Sequence, residues 1–208
     1  MVSDSLVHPR RPLALACALE GAQDRAGVFP LASGATLVVA DGAGGSGGGA
    51  AAAEAVIAAV AASLRLPDGT GWAELLLRVD RELPLGEATA VVLRVDGERI
   101  FGASVGDSGA LLFDAAGRCV DLTAGQPRKP LLGSRCASPV AFSGSLGDAT
   151  LLLATDGLLK YARLEAIAEV VTGQDLAAIP ARLLDLVRLR SGALPDDVAI
   201  VVARRVAG

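Results

Sequence analysis

Asp24, Asp41, Asp156 and Asp196 each stand where an apolar run meets a turn, and glycine directly follows Asp41 and Asp156. A glycine there lets a backbone carbonyl approach a ligand with no Cβ in the way. Carboxylates gathered at converging strand ends repel one another unless cations relieve them. An oxygen-only donor set, without histidine or cysteine, suits Mg or Mn better than Zn. Two such ions about 3.5 to 4 Å apart, bridged by a carboxylate and a hydroxide, clamp a phosphoryl group for in-line hydrolysis. Asp41 is the natural bridge.

The stretch Thr36 to Glu54, TLVVADGAGGSGGGAAAAE, concentrates these features. The run Leu37 to Ala40 delivers Asp41 to the end of a buried strand, and a glycine-rich turn opens into an alanine-rich helix. Two chemistries use such a place. A glycine turn ahead of a helix can hold a phosphate on backbone N–H groups, whereas an aspartate at a strand tip beside a bare carbonyl can hold a hard cation.

The elements that position these residues follow from periodicity. Pro12 to Glu20 reads as a first strand and Leu37 to Asp41 as a second. Ala50 to Leu66 carries no Pro or Gly and predicts a helix stopped by Pro67, Asp68 and Gly69. Trp72, Leu75, Leu76 and Val79 have helical spacing, so 72–83 is a second helix, with Trp72 as its anchor. From Thr89 the period becomes two: Thr89 to Val95, a turn at Asp96-Gly97 and Arg99 to Val105 form a hairpin. Ala110 to Phe113 and Arg118 to Leu122 extend it as a meander. Gly125 to Gly147 is irregular, with a short strand at Val140 to Phe142. Thr150 to Thr155 is a buried strand ending at Asp156-Gly157. Leu164 to Val171 and Leu176 to Leu189 are helical, the second bent or restarted by Pro180, and Val198 to Ala203 is the last strand.

Composition narrows the function classes. The 208 residues suffice for one well-buried core and show no linker, predicting a single domain over 1–208. A net charge of -4 argues against a nucleic-acid surface. Cys17, Cys119 and Cys136 share no metal-type spacing and read as buried, reduced thiols. The sole histidine, His8, lies in an N-terminal tail, so a histidine base is not expected. No signal-peptide pattern and no apolar run of membrane-spanning length occur, giving a cytoplasmic expectation with no membrane partner.

Six motifs in order give the chain a resemblance to the metal-dependent protein serine/threonine phosphatases of type 2C, in their compact bacterial form. They are Gln23-Asp24, Val39 to Gly45 (VADGAGG), Gly86 to Ala90 (GEATA), Val105 to Ser108 (VGDS), Ala154 to Leu158 (ATDGL) and Asp196 to Val202 (DDVAIVV). The resemblance implies an α+β fold, a four-layer αββα sandwich of two mainly antiparallel sheets flanked by helices, with two Mg or Mn ions at one end. Carried over residue by residue, it implies that Asp41 and Asp156 are central to catalysis. Asp24, Asp41, the Gly42 carbonyl, Asp156 and Asp196 would hold the metals directly or through water. Asp107 matches a third-metal or outer position. The implied reaction is hydrolysis of phosphoserine and phosphothreonine in proteins by a metal-bridging hydroxide. The implied partners are a phosphorylated protein and a serine/threonine kinase, in signalling.

Three departures stand out. Relatives carry a phosphate-gripping Arg just before the first acidic motif, but here Leu19-Glu20-Gly21-Ala22 has none. Arg25, Arg10-Arg11 or Arg128-Lys129 are the substitutes on offer, and the phosphate-binding residue is left unassigned. Lys160 stands where many relatives have an Asp for a third metal, predicting two tightly bound ions. Asp156 follows Asp107 by 49 positions, so the substrate-selecting flap is shortened or absent.

Two other readings compete. The departures fit a pseudophosphatase, a weak or inactive regulatory binding module. Gly42 to Gly47 also fits the GxGxxG of a dinucleotide-binding protein, with Asp68 as the acidic ribose ligand. Against the latter, Asp41 would face the pyrophosphate, and the following segments read as hairpins where βαβ units are needed.

Overall fold

A computed structural model describes residues 11–43 and 48–206. His8, Arg10 and the glycine-loop residues Gly44, Gly45, Ser46 and Gly47 lie outside the described residues.

The strands are β1 (Leu13–Glu20), β2 (Arg25–Leu31), β3 (Gly34–Ala40), β4 (Gly42–Ala43), β5 (Glu87–Ala88), β6 (Ala90–Asp96), β7 (Arg99–Val105), β8 (Gly109–Phe113), β9 (Cys119–Asp121), β10 (Val140–Ser145), β11 (Thr150–Ala154) and β12 (Val198–Arg205). The helices are α1 (Gly48–Ala61), α2 (Gly69–Glu82), α3 (Asp156–Leu159), α4 (Leu164–Val171) and α5 (Ile179–Val187). One five-stranded sheet runs β1-β12-β11-β8-β9 and the other β10-β7-β6-β3-β2, while β4 and β5 form a small ribbon.

Alternation along the central strands explains the four layers. In β3, Leu37 and Val39 point between the sheets, whereas Val38 and Ala40 point at α1 and α2. In β12, Ala199, Val201 and Ala203 face the other sheet, and Val198, Ile200 and Val202 face α4 and α5. Successive side chains of a strand point to opposite faces, so burial on both faces turns an alternating pattern into a continuous apolar run. Helices cover the outer faces with matching stripes: Ala52, Ala53, Val56 and Val60 on α1, and Trp72, Leu75, Leu76 and Val79 on α2. The αββα expectation holds. Trp72 is fully buried as that helix's anchor.

Several details differ from the sequence reading. Strand β2 was not foreseen, because Gly27 and Pro30 interrupt its pattern; it lies at a sheet edge, where proline is tolerated. The segment after the β6–β7 hairpin does not continue a meander: β8 and β9 belong to the opposite sheet, so the chain changes sheets at Gly106-Asp107-Ser108. Helix α1 ends at Ala61, short of Leu66, and Asp68 begins α2 as its N-cap, accepting a hydrogen bond from Gly71 N at 2.9 Å. Strand β10 runs to Ser145, and Pro180 starts α5 after a short 3-10 turn. The cysteines are free as expected but not buried: Cys17 and Cys136 are exposed and Cys119 is intermediate. Cys17 lies on β1, an edge strand of its sheet among the described residues.

Every strand pair is antiparallel among the described residues. That removes the βαβ framework a dinucleotide site needs, and the role of Asp68 as a helix cap accounts for its place in the sequence. No helix among the described residues is long and apolar enough to cross a membrane.

Candidate metal centre

Strand register brings the acidic motifs to one end of the sandwich. Glu20 pairs with Val198 and Ala154 with Ile200, which sets the ends of β1 and β11 beside the start of β12. In the other sheet Arg25 pairs with Ala40 and Ala90 with Val105, which gathers the start of β2 and the ends of β3 and β7. Asp24, Asp41, Asp107, Asp156 and Asp196 all leave or enter strands at these positions.

Asp41 is held from both sides of its peptide. Its N–H donates to Thr89 Oγ1 at 3.0 Å, and its carbonyl accepts from Thr89 N at 2.9 Å. Gly42 then lies so close to the start of α1 that a Cβ would sit 2.3 Å from Gly49 O. Only glycine fits. Asp156 opens α3 after Thr155, whose Oγ1 accepts a 2.8 Å hydrogen bond from Ala199 N and thereby ties β11 to β12 at their acidic end. The sheet change after β7 carries Asp107 across to meet them.

Oxygens of Asp41, Asp107 and Asp156 lie within 4.8 Å of one another, and all three residues are half-buried. Burial raises the Asp41 carboxyl to about 6, and the Asp156 charge adds to the rise. Asp156 is raised by burial first and then by Asp107 and Asp196, against the opposing pull of Lys160 and Arg128. Asp24 stands behind Asp41, only 1% exposed, and its Oδ2 has no hydrogen-bond partner. Burial lifts its carboxyl to about 8, with the Thr155 hydroxyl pulling the other way and the Asp41 charge adding.

Asp24, Asp41, Gly42 and Asp196 line a cleft of about 460 Å³. Asp107 and Arg128 line a second cleft of about 360 Å³, walled by Leu111, Leu159, Leu164 and Ile167. The acidic cluster therefore lies between the two clefts, Asp41 lining the first and Asp107 the second. Asp196 is exposed at the rim of the first cleft and is not part of the tight triad. Asp107, expected in an outer or third-metal role, is part of it.

No protein-family model and no curated protein matches the sequence. Solved structures do match the fold. The S. agalactiae serine/threonine phosphatase superposes with a TM-score of 0.80 at 18% identity, covering 94% of this chain and 100% of that one. The Mycobacterium tuberculosis serine/threonine phosphatase PstP/Ppp gives a TM-score of 0.73 at 24% identity, covering 94% and 99%. This chain has the type 2C phosphatase fold. PppA of Pseudomonas aeruginosa, described as a key regulatory component of T6SS, shares it with a TM-score of 0.72 at 20% identity, covering 93% and 98%.

The residues of the acidic cluster fit hard divalent cations. The donors are oxygen only, the carboxyls are crowded enough to be raised, and a buried carboxylate oxygen of Asp24 is left without a partner. The basic residues divide by position. Arg11 pairs with Asp148 at the opposite end of the sheet, where β1 begins and β11 enters, so it does not serve this site. Arg25 Nη1 donates to the carbonyls of Ala22 at 2.9 Å and Asp24 at 2.8 Å. Lys160 is exposed, with Nζ 5.0 Å from the centre of the Tyr161 ring. Arg128 Nη2 lies 2.6 Å from Asp107 Oδ2.

The sequence reading did not single out three supporting residues. Thr89 and Ser108, inside the GEATA and VGDS motifs, share a buried contact of 2.6 Å between hydroxyls. Asp197 was passed over for Asp196, yet its Oδ2 accepts from Ala22 N at 2.8 Å and Gln23 N at 2.6 Å, fixing the turn that presents Asp24. Their signal was their place within the motifs.

Proposed function

We propose that this chain hydrolyses phosphoserine and phosphothreonine in proteins at a centre for two Mg or Mn ions, as a single catalytic domain with a trimmed flap. The observation that supports this most is the convergence of Asp41, Asp107 and Asp156 oxygens within 4.8 Å, with Asp41 lining one cleft and Asp107 another. Asp41, Asp156, the Gly42 carbonyl and Asp196 would hold the ions, with Asp24 behind Asp41 directly or through water. When bound, the ions supply Lewis acidity and a nucleophilic water at neutral pH.

The chain's own part is placement. Thr89 and Thr155 fix the backbone that carries Asp41 and Asp156, so little reorganisation accompanies the reaction. The positive charge of Lys160 beside Asp156 favours two tightly bound ions over three. The reaction calls for a phosphorylated protein as substrate and a serine/threonine kinase as the source of its phosphate, in the cytoplasm. A regulatory module that binds without turnover is the second reading, favoured by the missing arginine at positions 19–22.

Hydrolysis of p-nitrophenyl phosphate and of a phosphothreonine peptide, with Mn, Mg or EDTA and beside Asp41→Ala, tests these readings. Metal-dependent release lost in the variant is the expected result. Metal binding without release would favour the regulatory module, and no metal binding would refute the site itself.

A further inference from the structure

Among the described residues, basic side chains at the acidic end differ in what they have left to offer; Arg188 is held on Glu20 through Nη1 and Nη2 at 3.0 and 2.7 Å. Arg25 spends Nη1 on two backbone carbonyls beneath Asp24. Lys160 is a single ammonium drawn over Tyr161. Arg128 makes one ion pair, Nη2 to Asp107 Oδ2 at 2.6 Å, and its side chain is otherwise 74% exposed while that of Asp107 is 24% exposed. A guanidinium carries five N–H donors in a rigid fork. One can stay on Asp107 while the others face outward.

We infer that Arg128, seated on Asp107, is the residue that receives the substrate's phosphate in this chain. The inference rests on the phosphatase reading above and goes beyond it by naming the residue and the role of its partner. With two cations on the cluster, a phosphate dianion still has oxygens turned away from them, and a guanidinium fixed beside the cluster can receive those oxygens. Arginine suits that task because its fork matches phosphate geometry with two parallel hydrogen bonds. Asp107 is the right seat: it belongs to the acidic triad and also lines the second cleft with Arg128, so the guanidinium stands where that cleft opens onto the triad. The ion pair also gives Asp107 a countercharge from the chain itself, which makes it the arginine's tether in place of a metal ligand.

The test uses the full chain as wild type, Arg128→Ala, Arg128→Lys and Asp107→Asn. Calorimetry follows Mn binding to the metal-free protein, then inorganic phosphate binding to the Mn-loaded protein. Arg128→Ala should weaken phosphate by about 10- to 100-fold, the scale of charge-assisted hydrogen bonds, with Mn binding unchanged or tighter. Arg128→Lys should recover only part of the loss, since an ammonium cannot form the fork. Asp107→Asn should weaken phosphate by a smaller factor and keep the wild-type Mn stoichiometry. Wild-type phosphate affinity in Arg128→Ala would overturn the inference and leave the metal centre standing. Loss of one Mn equivalent in Asp107→Asn would also overturn it, making Asp107 a metal ligand and Arg128 merely its counterion. If the wild type binds no Mn, the phosphatase reading fails and this inference falls with it.

Discussion

The hydroxyls of Thr89 and Ser108 meet at 2.6 Å in the interior and join the turn that carries Asp41 to the turn that carries Asp107. Thr89 accepts the Asp41 N–H through the same oxygen, so one side chain sets both the height of Asp41 and its spacing from Asp107. Thr89→Val keeps the shape but leaves the Asp41 N–H and the Ser108 hydroxyl without that partner, which costs about 1–3 kcal/mol. Urea denaturation should show that loss, and metal titration should show weaker Mn binding. Unchanged Mn affinity in a destabilised Thr89→Val would show that the pair supports the fold alone.

A pH dependence follows from the crowded carboxyls. In the metal-free protein Asp24 is raised to about 8 and Asp41 to about 6, from an ordinary 3.8. Between these values the folded chain holds more protons than the unfolded chain, so stability falls as pH rises. The contribution is fully present below about pH 4 and is lost as pH climbs through about 6 and then about 8. Denaturation midpoints of EDTA-treated protein should therefore fall from about pH 4 to about pH 8, with Asp24 alone responsible for the part above about pH 6. Asp24→Asn should flatten the upper part of that fall, and saturating Mg should flatten both parts by replacing protons with cations. A midpoint that stays level in EDTA would contradict the crowding.

Some of this was legible in the sequence, and the limit is physical. Asp41 and Asp156 could be read because each ends a run buried on both faces, LVVA and TLLLA, and such runs have few alternatives to a central strand. The hairpin at Asp96-Gly97 could be read because its turn residues and flanking alternation agree. Sheet membership could not: alternation reports that β8 has two buried faces, not which neighbour its backbone pairs with. Hence the continued meander was expected where Asp107 in fact crosses between sheets. Nor could spacing reveal that Arg11 lies at the far end while Arg128 reaches Asp107, because contacts between residues 137 and 21 positions apart decide them.

Asp80 makes a separate, purely structural claim. Its carboxylate is 2% exposed and accepts from Gly133 N at 2.8 Å, Arg135 N at 2.9 Å and Ala137 N at 3.2 Å. It pins the irregular segment that precedes β10 onto α2. Asp80→Ala should cost about 3 kcal/mol by leaving these N–H groups unpaired. Hydrogen exchange should quicken at Gly133, Arg135 and Ala137 while Mn affinity stays within about twofold of wild type, since none of these residues lines either cleft. Slow exchange retained in the variant would show that other contacts hold the loop.

The adjacent Asp196 and Asp197 should separate cleanly on substitution, because they do different jobs. Asp197 Oδ2 alone accepts both N–H groups of the turn before Asp24, and Gly21 passes so close that a Cβ there would lie 2.2 Å from Asp197 Cγ. An amide oxygen can accept the same two bonds, so Asp197→Asn should keep stability within about 1 kcal/mol of wild type and leave Mn binding intact. It should also ease Asp24 downward, since the Asp197 charge contributes to its raised carboxyl. Asp197→Ala removes the acceptor and should destabilise by about 1–3 kcal/mol, with weaker Mn binding because Asp24 loses its platform. Among the described residues, Asp196 accepts only the neighbouring Asp197 N–H, at 3.0 Å, and is exposed at the cleft rim. Asp196→Ala should leave the denaturation midpoint of metal-free protein nearly unchanged while lowering Mn affinity at least tenfold, the scale of one lost charged ligand. If Asp197→Asn lost metal as severely as Asp196→Ala, the division between a residue that holds the turn and one that faces the ion would be wrong.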